Sequence, residues 1–248
     1  MNLFALGVHG QQTNCSLKDF IDYWKDKYYW YTTVSDSIYY YARDSLKENR
    51  DIEKAIALVG AWKTNSISLN SKSGNLAFIC PCGAKYYFTD MWKTGTSSAY
   101  DVWMSLPDKL YEHKKRLTDP ERLIIELSRL KYNGARSSST EFGLIYSITY
   151  LHFLDSDSFP ILDKFVYNAI EFIFSLSKPH IPFEPKHLAT FKDYEKLSYY
   201  RRKFMPKFNQ LKKDSDSTVR EIDKVLWAFG HFISGSLVPK SIKVCCKR

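Results

Sequence analysis

The apolar positions along the chain recur mostly with the period of a helix. Ser16-Leu17-Lys18-Asp19 reads as a cap, and behind it Phe20, Trp24, Tyr28 and Tyr31 share one face of a charged, aromatic segment that runs to about Glu48. That segment predicts two scaffold helices. Ile52, Ala55, Ile56, Val59 and Gly60 mark the next helix, which closes on Trp62-Lys63-Thr64-Asn65. Leu123, Ile124, Leu127 and Leu130 form a stripe behind Thr118-Asp119-Pro120-Glu121, a capping box with a first-turn proline, and Gly134 is the natural stop. In the last strong helix Ile222, Leu226, Phe229 and Ile233 face inward behind a cap at Ser215 to Ser217, and Arg220 and Asp223 stand at ion-pair spacing. Two stretches break the period. Residues 66–90, polar and then rich in Tyr and Phe around Cys80-Pro81-Cys82-Gly83, predict an inserted β-hairpin or loop, and Lys178 to Pro185, with three prolines, predicts a loop. The expected fold class is therefore all-α in the main, with a small inserted β-hairpin or loop.

The chain is organised around Glu141 to Ile170. Phe142-Gly143 breaks the pattern before an uncharged run, Leu144 to Leu154, which is too short to cross a bilayer and long enough for a buried helix. Asp155 to Ser158 is a turn. Phe159-Pro160 then leads to Asp163, and Val166, Ile170, Ile173 and Phe174 follow at helical spacing, so Asp163 is expected to cap a second helix. Ile145, Thr149 and His152 lie at i, i+4 and i+7 and so share one face of the first of these helices. His152 has two readings, a hydrogen-bonded core histidine or a group lining a pocket.

Charge adds a partner class. With 36 Lys and Arg against 27 Asp and Glu, a net charge of +9, a polyanion is a natural partner, although a basic balance also serves solubility alone. Lys186, Lys192, Lys196, Arg201, Arg202, Lys203, Lys207, Lys212 and Lys213 are interleaved with Tyr194, Tyr199, Tyr200 and Phe204. That is the pattern of a nucleic-acid surface, and equally of a solvated basic helix face. Five cysteines in poor spacing, with Cys15 alone, Cys80 and Cys82 in a C-P-C, and Cys245 next to Cys246, point to a reducing cytoplasm and to neither a disulfide framework nor a zinc ribbon. Leu3 to Val8 is too short and lacks the basic leader of a signal peptide.

The central stretch resembles the helix-hairpin-helix DNA glycosylases, in which a Leu-x-Gly-Val-Gly hairpin opens a buried helix and a catalytic aspartate starts the next one. Phe142-Gly143 matches the Val-Gly pair, Ser147 the small residue on the following turn, and Asp163 the aspartate at the family spacing. Tyr150-Leu151-His152-Phe153 and Phe159-Pro160-Ile161-Leu162-Asp163 are similar to the corresponding words of small stand-alone bacterial members, and Arg220-x-x-Asp223-x-x-Leu226-Trp227 to their C-terminal helix. Glu141 departs from the first hairpin glycine, Ile145 occupies the position of the lysine nucleophile of bifunctional members, and the four-cysteine iron–sulfur loop of endonuclease III-like members has no counterpart.

The resemblance implies a single unit over residues 1–248 made of two packed helical lobes, with the hairpin and the aspartate segment at residues 137–174. It implies a monofunctional DNA N-glycosylase that flips a modified base out of double-stranded DNA and hydrolyses its N-glycosidic bond, with Asp163 stabilising the positive charge that develops on the sugar. Ile145, Thr149 and His152 become the base pocket, Gly143 the backbone contact to a phosphate, and Arg201, Arg202 and Lys203 further DNA contacts. Trp62, Lys63 and Asn65 become the wedge pushed into the stack, although a Trp that closes an amphipathic helix is more often a core plug. No cofactor, metal or membrane is called for, and a monomer is expected. The implied target is either a hypermodified pyrimidine of phage DNA or a damaged base. The alternatives are a non-catalytic nucleic-acid-binding protein on the same fold and a metal-dependent nuclease, for which the chain has no His/Asp/Glu cluster at ligand spacing.

Overall fold

The computed structural model describes residues 16–32, 34–69, 75–89, 92, 100–133, 139–175 and 188–236. Lys178 to Pro185, Lys186, Gly134, Cys15, Cys245, Cys246 and Leu3 to Val8 lie outside them. Over these residues the protein is mainly helical with two small antiparallel sheets, and it divides into two units, one holding residues 16–32 and 160–236 and the other residues 34–159. Among the described residues no helix is long and apolar enough to cross a membrane.

The first unit is built on α1 (Leu17–Lys25), a 3-10 turn (Asp26–Trp30), α8 (Lys164–Ser175), α9 (Asp193–Tyr199), α10 (Met205–Ser215) and α11 (Val219–Ile233). Ser16 and Asp19 form the expected capping box at α1. At α11 the capping box is Thr218 with Glu221, just beyond the predicted cap, because Asp216 ends α10 in the left-handed conformation. Phe229 is the hub, meeting Phe20 at 5.1 Å, Trp24 at 5.2 Å and Phe172 at 5.5 Å. Gly230 lets α11 approach α8 closely, since a Cβ there would lie 2.0 Å from the carbonyl oxygen of Phe165. Arg220 and Asp223 form the expected pair, both buried, and the guanidinium also lies 4.9 Å from the Tyr28 ring centroid, fastening the 3-10 turn to α11.

The second unit holds α2 (Asp36–Glu48), α3 (Ile52–Lys63), β1 (Ile67–Ser68), β2 (Leu76–Ile79), β3 (Lys85–Phe88), α4 (Tyr100–Ser105), α5 (Leu110–Lys115), α6 (Pro120–Ser128), β4 (Lys131–Asn133), β5 (Ser139–Glu141) and α7 (Leu144–Leu154). α7 is the uncharged run, and from Ser147 to Leu154 every residue is buried, as a helix apolar on all sides must be. Asp119 caps α6, with Pro120 at its first position, in place of the predicted Thr118 box.

The stretch 66–90 forms a three-stranded antiparallel sheet in the order β1-β3-β2. Cys80-Pro81-Cys82-Gly83 is its turn. Gly83 sits at φ +86°, its N–H reaches the Cys80 carbonyl, and the Cys80 N–H reaches the Ala84 carbonyl, which is the geometry of a three-residue hairpin loop. Cys80 is a buried thiol beside Ser35 and Ser37 at the start of α2, and Phe78 packs on Tyr41, so the sheet lies against α2. Cys82 is disulfide-bonded.

Between α6 and α7 the chain forms a β-ribbon, with Lys131 opposite Glu141, Tyr132 opposite Thr140 and Asn133 opposite Ser139. The resemblance instead implies a Leu-x-Gly-Val-Gly hairpin here. The departure at Glu141 falls on this ribbon: a backbone that pairs with Lys131 in an extended ladder has no use for a hairpin glycine.

Candidate active site

Asp163 begins α8, and its Oδ1 accepts hydrogen bonds from the backbone N–H groups of Phe165 at 2.9 Å and Val166 at 3.0 Å. This is a helix cap, and it also fixes the carboxylate at the positive end of the helix dipole. The segment leading to it is anchored as well, because the buried Tyr200 hydroxyl donates to the Pro160 carbonyl at 3.0 Å.

Tyr200 belongs to a π-helical turn, Tyr200–Phe204, between α9 and α10. Its first and last rings, Tyr200 and Phe204, are buried and stacked at 5.5 Å, and the residues between them, Arg201, Arg202 and Lys203, are exposed. Single π-turns recur at functional positions in helices. Three of the four aromatic residues interleaved with the basic ones, Tyr199, Tyr200 and Phe204, are core residues, and Tyr194 is exposed. Lys207 and Lys196 are engaged with Glu171 and Asp193. The basic stretch is thus narrower than its sequence suggests, with Arg201, Arg202 and Lys203 at its exposed centre.

Beside the start of α8 lies a group of rings that no sequence motif brings together. His231 of α11 stacks on Phe165 with ring centroids 3.4 Å apart, on Tyr31 at 4.8 Å, and meets Trp227 edge-on at 4.2 Å. A face covered at 3.4 Å has no room for a second parallel ring, so Tyr31 lies on the opposite face and the imidazole is sandwiched. Burial pushes the His231 pKa down to about 4, with nearby Asp163 opposing that shift and Lys164 adding to it. The imidazole is therefore neutral near pH 7. Its Nδ1 lies 3.0 Å from the Ser236 hydroxyl, whereas its Nε2 is buried with no partner among the described residues, as is the Tyr31 hydroxyl oxygen. One helical turn along α8, Asn168 bonds Ser234 through Nδ2 and leaves Oδ1 buried and likewise unpartnered among the described residues. The signal for this cluster is the i, i+4 pair Trp227 and His231 near the end of a strong helix, but Tyr31 and Phe165 come from distant parts of the chain.

The remaining candidates lie in the second unit. Gly143 has φ +79°, a conformation that asks for glycine, and it precedes α7 with no side-chain cap. Its N–H donates to the Ser128 carbonyl at 2.9 Å, so this N–H holds α6 to α7 and is not offered to a phosphate. Ile145 is half-buried. Thr149 is fully buried and its hydroxyl donates to the Ile145 carbonyl. His152 is fully buried too, with Nδ1 donating to the Phe159 carbonyl and Nε2 accepting from the Tyr39 hydroxyl, both at 2.8 Å. Since a carbonyl only accepts, Nδ1 carries the proton, and both ring nitrogens are used inside the unit. That is the core-histidine arrangement.

Trp62 is half-buried with its ring edge-on to Phe153 at 5.6 Å, and Lys63 beside it is half-buried. Asn65 is exposed at φ +55°, where it closes α3 while the following N–H, that of Ser66, returns to the Ala61 carbonyl. Among the described residues no three His, Cys, Asp or Glu side chains are grouped as metal ligands would be.

No family model matches the chain. Neither the curated proteins nor the solved structures contain a match.

Proposed function

We propose that the protein is a monofunctional DNA N-glycosylase in which Asp163 is the catalytic carboxylate. The observation that carries this reading is the fixed position of Asp163, whose Oδ1 is held by two backbone N–H groups on a segment anchored by Tyr200, the first residue of the turn that displays Arg201, Arg202 and Lys203. As the base departs, positive charge grows on the sugar. A carboxylate placed before that charge develops stabilises it without reorganising. Water then adds to the anomeric carbon, the electron pair of the broken C–N bond leaves with the base, and the water proton ends on the departing base. The exposed cations hold the duplex through its phosphates and read no sequence.

Ile145 carries no amine, so no imine forms there and the product is an intact abasic site. Lys164, next to Asp163, is exposed with its ammonium 4.6 Å from the Phe165 ring centroid. A borohydride-trapped adduct would assign it a nucleophilic role and overturn the monofunctional reading. The target is a modified base, either a bulky phage pyrimidine or an oxidised or alkylated base. A panel of 8-oxoguanine, alkylated-purine, uracil and glucosylated hydroxymethylcytosine duplexes separates these.

The second reading is a non-catalytic DNA-binding protein, favoured by the capping bonds that Asp163 makes. Asp163→Asn decides between them, because asparagine keeps the cap and removes the charge. Unchanged base release in this variant would leave Asp163 as a cap only.

A further inference from the structure

Six buried side-chain polar atoms lack a partner among the described residues, and three of them, on Tyr31, Asn168 and His231, fall in one neighbourhood of the first unit. Phe165 stacks on His231, and one turn later Asn168 bonds Ser234, so the same faces of α8 and α11 meet twice there. Tyr31 lies across the imidazole from Phe165. Asp163, two residues before Phe165, is bonded to the Phe165 N–H.

Folded proteins seldom leave buried polar atoms unpaired, and a group of them beside a candidate catalytic carboxylate is a set of hydrogen bonds waiting for a ligand. We propose that the Tyr31 hydroxyl and His231 Nε2 are substrate contacts of the Asp163 site, completing their hydrogen bonds on the polar edge of the target base, with Asn168 Oδ1 as a third acceptor. The inference rests on the glycosylase reading and specifies the ligand further: a planar heterocycle whose edge carries both a hydrogen-bond acceptor for the phenol and a complementary group for a neutral imidazole. A hydroxyl always has a proton to give and the amide oxygen only accepts, so a base with a carbonyl or ring nitrogen next to an N–H fits, and a purely apolar adduct does not. Such a site discriminates strongly, because the wrong base leaves its polar atoms unpaired.

The test is a pair of variants, Tyr31→Phe and His231→Phe, each of which keeps a ring in the stack and deletes the unpaired atom. Thermal midpoint and single-turnover base release are measured on the modified-base panel, with Asp163→Asn alongside. If the atoms await a substrate, Tyr31→Phe keeps or raises the midpoint while release falls roughly tenfold, and His231→Phe does the same to release. A purely structural role would move stability and release in the same direction. Both variants releasing base within twofold of wild type, with Asp163→Asn inactive, overturns the inference and leaves the glycosylase reading intact. A large drop in midpoint for Tyr31→Phe shows that the hydroxyl is already satisfied and also overturns it. Wild type releasing no base from any duplex overturns the glycosylase reading and this inference with it.

Discussion

Gly230→Ala probes the contact that sets where α8 begins. A Cβ at this position would lie 2.0 Å from the Phe165 carbonyl oxygen, 2.5 Å from its carbonyl carbon and 2.9 Å from its Cα. All three are backbone atoms, so no rotamer change relieves them, and the first turn of α8 must move away by more than about 1 Å to reach ordinary contact. Overpacking of this kind costs about 1–3 kcal/mol, and the rigid obstruction puts it near the upper end. Alanine returns about 1 kcal/mol of helix propensity. The net loss is about 2 kcal/mol, or a midpoint lower by about 4–8 °C for a chain of this size. Because Phe165 and Val166 supply the N–H groups that hold Asp163, the carboxylate shifts with them. A misplacement of about 1 Å at a reacting centre costs on the order of a hundredfold in rate. Calorimetry and single-turnover base release, with the kinetics run well below the melting range, measure the two effects. Gly60→Ala is the control: its Cβ would lie 2.5 Å from Trp92 and 2.6 Å from Trp103 in the second unit, so it should lose stability while release at low temperature stays within a few-fold. A Gly230→Ala protein with unchanged midpoint and unchanged release would refute the argument.

Three further outcomes are expected. Asp163→Ala, unlike Asp163→Asn, should lose about 1 kcal/mol of stability in urea denaturation, because it also removes the cap on α8. Acidification from pH 6.5 to 4 should destabilise the protein: in that window the unfolded chain protonates His231 and the folded chain, with its pKa near 4, does not, so stability present above pH 6.5 is lost as the pH falls. Allowing for the part of the ring that meets solvent, the loss from this group is about 1–2 kcal/mol, and His231→Phe should flatten the pH dependence of the melting midpoint by that amount. Replacing Arg201, Arg202 and Lys203 together by Ala should weaken binding to all duplex sequences alike and reduce the slope of log affinity against log salt by about 0.9 for each phosphate that is no longer neutralised, as followed by fluorescence anisotropy. An unchanged slope would return these side chains to ordinary solvated surface.

What was legible in the sequence followed from local rules. The uncharged run at Leu144 to Leu154 announced a buried helix, Ser16 with Asp19 announced a cap, and Asp163 before Val166, Ile170 and Ile173 announced the start of α8. The β-ribbon at Lys131–Asn133 and Ser139–Glu141 was not legible, because three-residue strands carry no alternation to read. Nor was the π-turn. Tyr200 and Phe204 stand at i and i+4, a spacing that shares one face in an ordinary α-helix too, so nothing in the sequence marks the wider turn. His152 shows the limit of helical phase: its spacing with Ile145 and Thr149 gave a shared face, but only the fold reveals that Tyr39 and the Phe159 carbonyl already occupy both nitrogens. Tyr31, Phe165, Asn168 and His231 meet only through tertiary packing, and no motif joins them.

The most direct test is single-turnover base release by wild type and Asp163→Asn across the modified-base duplexes, with product scored as alkali-labile abasic sites and binding measured in parallel. The account predicts release from at least one modified duplex by wild type, no borohydride-trapped adduct, and a loss of release on the order of a hundredfold or more in Asp163→Asn with duplex affinity kept within a few-fold. Full turnover by Asp163→Asn, or duplex binding by wild type with no release from any modified base, would contradict it.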